Sequence, residues 1–444
     1  MGVIMQSFYW DCPRIEGKEF QWWNRIRDEV PALKAAGFTA LWLPPASKAA
    51  NLNGPSMGYD PYDYYDLGDL DQKGSKETWF GSRDDLVSLI DAAHDNDMSV
   101  YADLVLNHNC GGDAKELNPI DNQERWTKFS PKSNLFPRDY RCFHPSAYER
   151  WDQMTFGDMP DLCHRNPAVY TQFIEYALWL LEQIEFDGIR YDCVKGYGGW
   201  MVRAIQELRS LRNNQAIRPF GVGECWDSDR TISEWLDETN AWSDNRVGAF
   251  DFPLRSRLKD LCDTFGYSLR NLCDEGTLLK DRPAEAVTFV ENHDIVRDNP
   301  IIHDKMLAYA FILTHEGYPC VFWQDYVTWG LGLATEKSGI AALVRVHESN
   351  AGGTTTVLYV DDNLYIMQRS GFGTQKGLVF VLNNRGDCWS GTGVKTQWQN
   401  TKFVPAAWRG RDNVDIPYEQ WTRQDGWGEF YAPPRGYAVY LPAD

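Results

Sequence analysis

No stretch of this chain is apolar enough to cross a bilayer as a helix. Such a span needs about 18 consecutive apolar residues, and the longest run, 306–313, falls well short of that. The start of the chain does not read as a leader either. The opening MGVIMQSFYW has no basic start, so the expectation is a chain that stays inside the cell or has lost a signal peptide, with secretion favoured. The ten cysteines are scattered and form no C-x-x-C pair, which leaves the compartment open. Basic residues are in deficit: 44 Lys and Arg stand against 63 Asp and Glu, a formal net charge of −19. Without a basic stripe, nucleic acid and anionic membrane surfaces are excluded as partners. There is no internal repeat, no low-complexity tract and no N-x-S/T sequon. Disorder is excluded by the 43% apolar content. What the chain does have is aromatic surface, with 19 Trp, 22 Tyr and 21 Phe. That is more Trp than packing requires, and Trp and Tyr, with an apolar face and a polar tip, suit wet, flat ligands. A length of 444 residues implies two or three domains.

Eight short apolar runs, each polar only toward its C-terminal end, read as buried parallel strands: 3–9, 39–43, 99–105, 188–192, 220–224, 249–252, 286–291 and 319–323. Helical patterns fill the gaps. The segment 22–36 stops at Gly37, 82–96 opens on a Ser cap with acids in its first turn, and 167–185 has Pro near its start. Further patterns cover 199–212, 231–238, 254–273, 303–313 and 335–349. Strand then helix, repeated eight times, predicts a (β/α)8 TIM barrel over 1–106 and 167–350. The connection 107–166, rich in Asn, Asp, Pro and Gly, is too long for a structureless loop and reads as a small inserted domain after strand 3. From 351 to 444 the alternating runs predict a C-terminal antiparallel β-sandwich domain.

Barrel active sites lie at the C-terminal ends of the strands. There the sequence places Asn107 and His108, Arg190 and Asp192, Glu224, and Asn292, His293 and Asp294. Any one of these acids alone fits a solvated or ion-paired role. Three carboxylates at successive strand ends repel one another and need a chemical reason to be there. Two carboxylates on one sugar bond are what glycoside hydrolysis requires, one ionised and one holding a proton. Asp192, two residues from Arg190, has a cation to keep it anionic, whereas Glu224, between Gly223 and Cys225-Trp226, is expected in a less polar setting that raises its pKa.

At this point the motifs DLVLNH (103–108), GIRYDCVKGY (188–197), GECW (223–226) and FVENHD (289–294) resemble the four signature regions of the α-amylase superfamily, glycoside hydrolase family 13. MPDL (159–162) resembles its fifth region, and MGYDPYDYYDLGD (57–69) the stretch after the second strand. KGYG (195–198), AFDFPL (249–254), AVTFVENHD (286–294) and YAFILTHEGYPCVFW (309–323) are most similar to archaeal and plant-type members. The chain departs from the pattern at Gly196, where many members have His, and at Glu291, where Asp is usual.

The resemblance implies an α-amylase, a retaining enzyme cutting internal α-1,4 bonds of starch and malto-oligosaccharides. The alternative is a sister enzyme acting on cyclodextrin or pullulan, or as a transglycosylase. Asp192 would be the nucleophile, Glu224 the acid/base and Asp294 the transition-state stabiliser. Tyr59, His108, Arg190, Lys195, Trp226 and His293 would bind or position substrate. Asp103 would pair with Arg190. The family also implies Ca2+, with Asn107, Asp152 and Asp161 and the carbonyls of Met154 and Gly196 as ligands, since hard oxygens suit this ion. His144 and Cys163 are either a softer-metal pair nearby or an ordinary loop His and a buried thiol. Trp408, Trp421 and Trp427 are candidates for a surface glucan site or for packing. A monomer is expected.

Overall fold

The computed structural model describes residues 2–12, 20–51, 57–212, 215–332, 337–412 and 416–443. Eight strands form a closed barrel: β1 (Ile4–Gln6), β2 (Ala40–Trp42), β3 (Ser99–Leu104), β4 (Gly188–Tyr191), β5 (Phe220–Gly223), β6 (Gly248–Phe250), β7 (Ala286–Phe289) and β8 (Tyr318–Phe322). They follow one another round the barrel in chain order, and each recorded neighbouring pair is parallel. The predicted TIM barrel is thus borne out. Each strand lies within the predicted run or extends one residue before it. All eight end one to three residues before the predicted run does.

By compactness the chain divides into two units. One comprises Ser7–Lys34 and Ala40–Phe250. It contains β2–β6 and the helices α2 (Arg83–Asp95), α3 (Pro167–Glu182), α4 (Gly199–Gln206) and α5 (Asp229–Asn240), with most of α1 (Trp22–Ala36). Local chemistry explains the helix starts. Ser82 Oγ accepts from Asp85 N while Asp85 accepts back from Ser82 N, a capping box worth about 1 kcal/mol. Asn166 caps α3, with Pro167 in its first turn. The predicted helix 199–212 stops at Gln206 instead, and the chain makes a small hairpin, Ser210–Arg212 with Gln215–Ile217. Arg212 holds that hairpin by donating to Asp187 at 2.6 Å and to the Phe186 carbonyl.

Between β3 and α3 the chain makes an antiparallel hairpin, Ala114–Asn118 with Gln123–Lys128, and a 3-10 turn at Tyr140–Cys142. Arg138 is buried there, its guanidinium lying over Phe129 and Phe136 and donating to the Phe136 and Tyr62 carbonyls. Lys48, fully buried, donates to the carbonyls of Leu70, Ser75, Lys76 and Glu77 and lies 3.5 Å from Asp66. Burial lowers its pKa against the pull of Asp66.

The other unit comprises Met1–Gln6, Ala35–Thr39 and Asp251–Asp444. It holds β1, β7, β8 and the helices α6 (Phe252–Asp263), α7 (Lys305–Ile312) and α8 (Ile340–Asn350). The predicted 254–273 helix ends at Asp263; Gly266, at φ +77°, turns the chain, and Leu269–Cys273 is a separate 3-10 turn. The expected start of the last helix at Thr335 lies outside the described residues. Beyond α8 come β9 (Thr355–Val360), β10 (Leu364–Arg369), β11 (Leu378–Asn383), β12 (Ser390–Lys395), β13 (Lys402–Arg409), β14 (Gln420–Trp421), β15 (Trp427–Ala432) and β16 (Gly436–Pro442). The sheet order is β9-β10-β11-β16-β13-β14, all antiparallel, with β12 and β15 forming a separate two-stranded ribbon. Leu364, Ile366, Val379, Val381, Phe403, Phe430 and Tyr440 fill this core, and Trp408 packs against it. Among the described residues no helix is long and apolar enough to cross a membrane.

Candidate active site

The site grows out of strand register. Arg190 on β4 pairs with Asp103 on β3 and with Val222 on β5, so its side chain stands between the carboxylates that those strands carry or lead into. Arg190 is buried. Its Nη1 donates to Asp103 Oδ1 at 2.7 Å and to Asp192 Oδ1 at 2.8 Å, and its Nη2 lies 2.8 Å from Glu224 Oε2. One guanidinium therefore holds three carboxylates, a task suited to its planar fork of donors. Burial opposes the Arg190 charge, but the fields of Asp103, Glu224 and Asp192 hold its pKa above the usual range. Burial pushes the Asp103 carboxyl up to about 6, with Arg190 pulling the other way. The second Asp103 oxygen accepts from Trp42 Nε1 at 3.0 Å and from Tyr59 Oη at 2.7 Å. Asp103 thus pairs with Arg190 as expected and also fixes the Tyr59 ring, which stacks on Trp10 with centroids 6.0 Å apart.

Glu224 differs from expectation. The sequence pointed to a less polar setting, but its Oε2 faces Arg190 and also accepts from the Cys193 backbone N–H at 3.0 Å. The cause is the turn after β4. Cys193 has φ +46° and ψ +48°, a left-handed conformation costing a non-glycine residue about 1–2 kcal/mol, and this aims its N–H at Glu224. Cys193 is therefore half-buried in a turn, and all ten cysteines are free thiols.

The remaining candidates in this unit lie as follows. His108 is buried, and its Nε2 meets the Tyr59 carbonyl at 2.9 Å. A carbonyl only accepts, so Nε2 carries the proton; burial lowers the ring's pKa. His108 also stacks on Phe156. Lys195 donates to the Trp226 carbonyl at 2.8 Å and to Asp227 at 3.2 Å, and Trp226 is exposed. In the other unit, Asp294 follows β7, its backbone N–H donating to Asn292 Oδ1. His293 Nε2 lies 3.2 Å from Asp294 Oδ2, and its Nδ1 meets Gln6 Nε2 at 2.9 Å. The amide N–H can only donate, so Nδ1 is the acceptor. Sequence reasoning missed Gln6, Trp42 and the Cys193 N–H, because these contacts bridge 287, 61 and 31 residues with no spacing signal.

The candidate metal residues also converge. Asp161 is buried and forms isolated bridges with His108, and Leu162 with Phe143, so the segment runs between the one that follows β3 and the one carrying His144. Asn107 Oδ1 and both Asp161 oxygens are buried without a hydrogen-bond donor. His144, Asp152 and Asp161 place one ligand atom each within 4.8 Å of one another. Burial and the neighbouring Asp152 push the Asp161 carboxyl up to about 8. Buried, unsatisfied oxygens with surplus negative charge fit a hard divalent cation. A Cβ at Gly196 would lie 1.7 Å from Asn107 Oδ1, so the glycine leaves room for that amide. Met154 is half-buried in the same stretch as Asp152. His144 also groups with Glu149 and Cys163, a nitrogen and a sulfur donor beside one carboxylate oxygen, of which the first two suit a softer ion.

Comparison with known proteins bears on the family and the fold. The family model of the α-amylase catalytic domain matches residues 16–326, and that of the α-amylase C-terminal domain matches 378–441. An α-amylase of Geobacillus stearothermophilus is 30% identical, covering 99% of this chain and 87% of its own. Probable α-amylase 2 of Arabidopsis thaliana is 28% identical over 82% of this chain and 84% of its own. The solved α-amylase of Geobacillus thermoleovorans, complexed with acarbose, shares the fold at a TM-score of 0.69 and 20% identity, covering 100% of this chain and 98% of that one. With a family model spanning most of the barrel and a relative aligned along nearly its whole length, this chain belongs to the α-amylase family.

Proposed function

We propose that the protein is an α-amylase, hydrolysing internal α-1,4-glucosidic bonds of starch and related glucans with retention of configuration. The observation that carries this is the single buried guanidinium of Arg190 gripping Asp192 and Glu224 together. A shared cation is compatible with the short carboxyl separation of about 5–5.5 Å that retaining glycosidases use. Asp192 attacks the anomeric carbon as Glu224 gives its proton to the leaving oxygen. Water, deprotonated by Glu224, then displaces Asp192 and frees the sugar. Asp294 stabilises the positive charge that develops on the ring. Tyr59 offers its face to the sugar at the scission point, His108 and His293 bind its hydroxyls, and Lys195 and Trp226 serve the reducing side.

Calcium is proposed at Asn107, Asp152 and Asp161, with the carbonyls of Met154 and Gly196. When bound it supplies structural charge neutralisation. The division into a barrel (1–106 and 167–350), an inserted domain (107–166) and a C-terminal domain (351–444) is part of the same reading, as are the archaeal and plant-type affinity of KGYG and AFDFPL and a monomeric state. The test is the anomeric form of fresh product from soluble amylose, followed by proton NMR, with product profiles on pullulan and cyclodextrin alongside. The α-anomer is expected. A β-anomer would overturn the mechanism, and preferential cleavage of cyclodextrin or pullulan would assign a sister activity.

A further inference from the structure

Basic residues are the scarce charge in this chain, yet four of them meet in one place. A pocket of about 600 Å³ opens where the first turn of α7, the segment after β8, the end of β13 and the start of β16 come together, all within 251–444. Its ionisable lining is Lys305, Arg409, Arg411 and Arg435 against Asp304 and Asp325, four cations to two carboxylates, in a protein of net charge −19. Both carboxylates are already matched. Lys305 Nζ lies 2.8 Å from Asp325 Oδ1, and Arg435 Nε lies 2.7 Å from Asp304 Oδ2. Arg435 is further tied to the Leu261 and Cys262 carbonyls. The other two guanidiniums are not engaged in this way. Arg409 makes one long bond, Nη1 to the Ser338 carbonyl at 3.5 Å, and among the described residues neither it nor Arg411 has a carboxylate partner. They stand two residues apart at the end of β13 and line the same cavity, so a surplus of two positive charges faces it. The rest of the wall is of another kind. Met306 and Leu331 are apolar, and Trp329 is 49% exposed with the Lys305 ammonium 4.6 Å from its ring centroid.

We propose that this pocket binds the phosphate monoester of a small ring compound, a sugar phosphate or a nucleoside monophosphate. A phosphate monoester carries a charge of about −1.5 to −2 near neutral pH, which matches the surplus. Its terminal oxygens suit the planar donor forks of Arg409 and Arg411. A carboxylate would leave one of the two cations unmatched. A bare anion would leave the indole and the apolar wall without a partner, in a cavity whose volume is that of a small-molecule site. The pocket also has a route to β7. Ile301, on its wall, donates its N–H to Glu291 Oε1 at 2.6 Å, and Lys305 lies 3.3 Å from the same oxygen. Arg255 holds the other oxygen at 2.9 Å. Glu291 leads directly into Asn292, His293 and Asp294, so a ligand that shifts Lys305 or Ile301 acts on the backbone carrying Asp294. That consequence, unlike the binding itself, rests on the function proposed above.

The test is titration calorimetry on the full chain with glucose 6-phosphate and adenosine monophosphate, one for each source of the ester, beside glucose, adenosine and inorganic phosphate. The same titrations are run on Arg411→Gln and on the pair Arg409→Gln with Arg411→Gln, with thermal melts as the control for folding. At least one ester should bind the wild type with a Kd below about 1 mM, bind the double variant about tenfold more weakly, and lose affinity as salt rises. Melting without ligand should be unchanged. Arg411→Gln alone, at an exposed position, should weaken binding even if the double variant is destabilised. No binding of either ester, equal binding to wild type and variants, or equal affinity for an ester and its unphosphorylated ring would overturn the proposal. So would inorganic phosphate binding as tightly as the esters, which would leave the ring unread. Turnover of a soluble malto-oligosaccharide, with and without saturating ester, should change in the wild type and not in the double variant; normal turnover that ignores bound ester would overturn the route to β7. If the ester binds but the wild type releases no sugar from amylose, the catalytic reading fails and the binding site stands.

Discussion

Replacing Arg190 by Lys keeps the charge and removes the fork, which makes it a sharp probe of the site. The guanidinium reaches Asp103 and Asp192 through Nη1 and Glu224 through Nη2, at 2.7 to 2.8 Å. A single ammonium on a shorter stem cannot hold all three. Breaking a buried pair and stranding one partner costs about 3–5 kcal/mol. Here the lower end applies, because Asp103 keeps Trp42 and Tyr59 as donors and Glu224 keeps the Cys193 N–H. About 3 kcal/mol, if that grip is needed in the transition state, is roughly a hundredfold in rate. Arg190→Lys should therefore lower kcat on a soluble malto-oligosaccharide by about two orders of magnitude, leave KM within a few-fold, and lower the melting temperature by several degrees. Steady-state kinetics with a parallel thermal melt decides it. A variant retaining a third or more of wild-type kcat would refute the argument that the fork positions the acids. A large rise in KM alone would make Arg190 a substrate contact.

Two further outcomes are expected. Excess chelator should lower melting temperature and activity together in the wild type and restore both on calcium addition, while Asp161→Asn and Gly196→Ala should respond less, the first by losing a ligand and the second by displacing the Asn107 amide; wild-type melting that ignores chelator would rule out the calcium site. His315, buried with its nitrogens engaged by the Phe311 carbonyl and Tyr365 Oη, has its pKa lowered by burial to about 4. Against an unfolded value near 6.5, the unfolded chain binds the extra proton between these values, so stability should fall as pH drops from about 6.5 toward 4, by up to about 3 kcal/mol. His315→Gln should flatten that slope in thermal melts, and an unchanged slope would place the acid sensitivity elsewhere.

How much of this was readable beforehand follows from which interactions are local. Strand candidates ending in Asp192, Glu224 and Asp294 were legible because burial and function divide each segment at one point: apolar inside the ladder, polar beyond it. The Ser82 cap and the Gly37 stop were legible for the same reason, since each is decided within a few residues. The environment of Glu224 was not. Its neighbours in sequence are apolar, and the groups that touch it come from Arg190 on another strand and from Cys193 in the turn after it. The break at Gln206 escaped for a similar reason, as the pull on Arg212 comes from Asp187. His144 offered two readings in sequence, and only the approach of Asp152 and Asp161 shows it beside the oxygen-rich cluster.

The buried ammonium of Lys48 has a consequence for how this protein meets depletion. It gathers four carbonyls of the 70–77 loop as a small cation would, but it is tethered to the backbone. Dialysis and chelators cannot strip it, whereas an ion held by Asn107 and Asp161 can leave. Loss of metal should therefore be felt unevenly. Amide exchange should quicken around residues 144–163 while the 70–77 loop keeps its protection, an internal control built into the same unit.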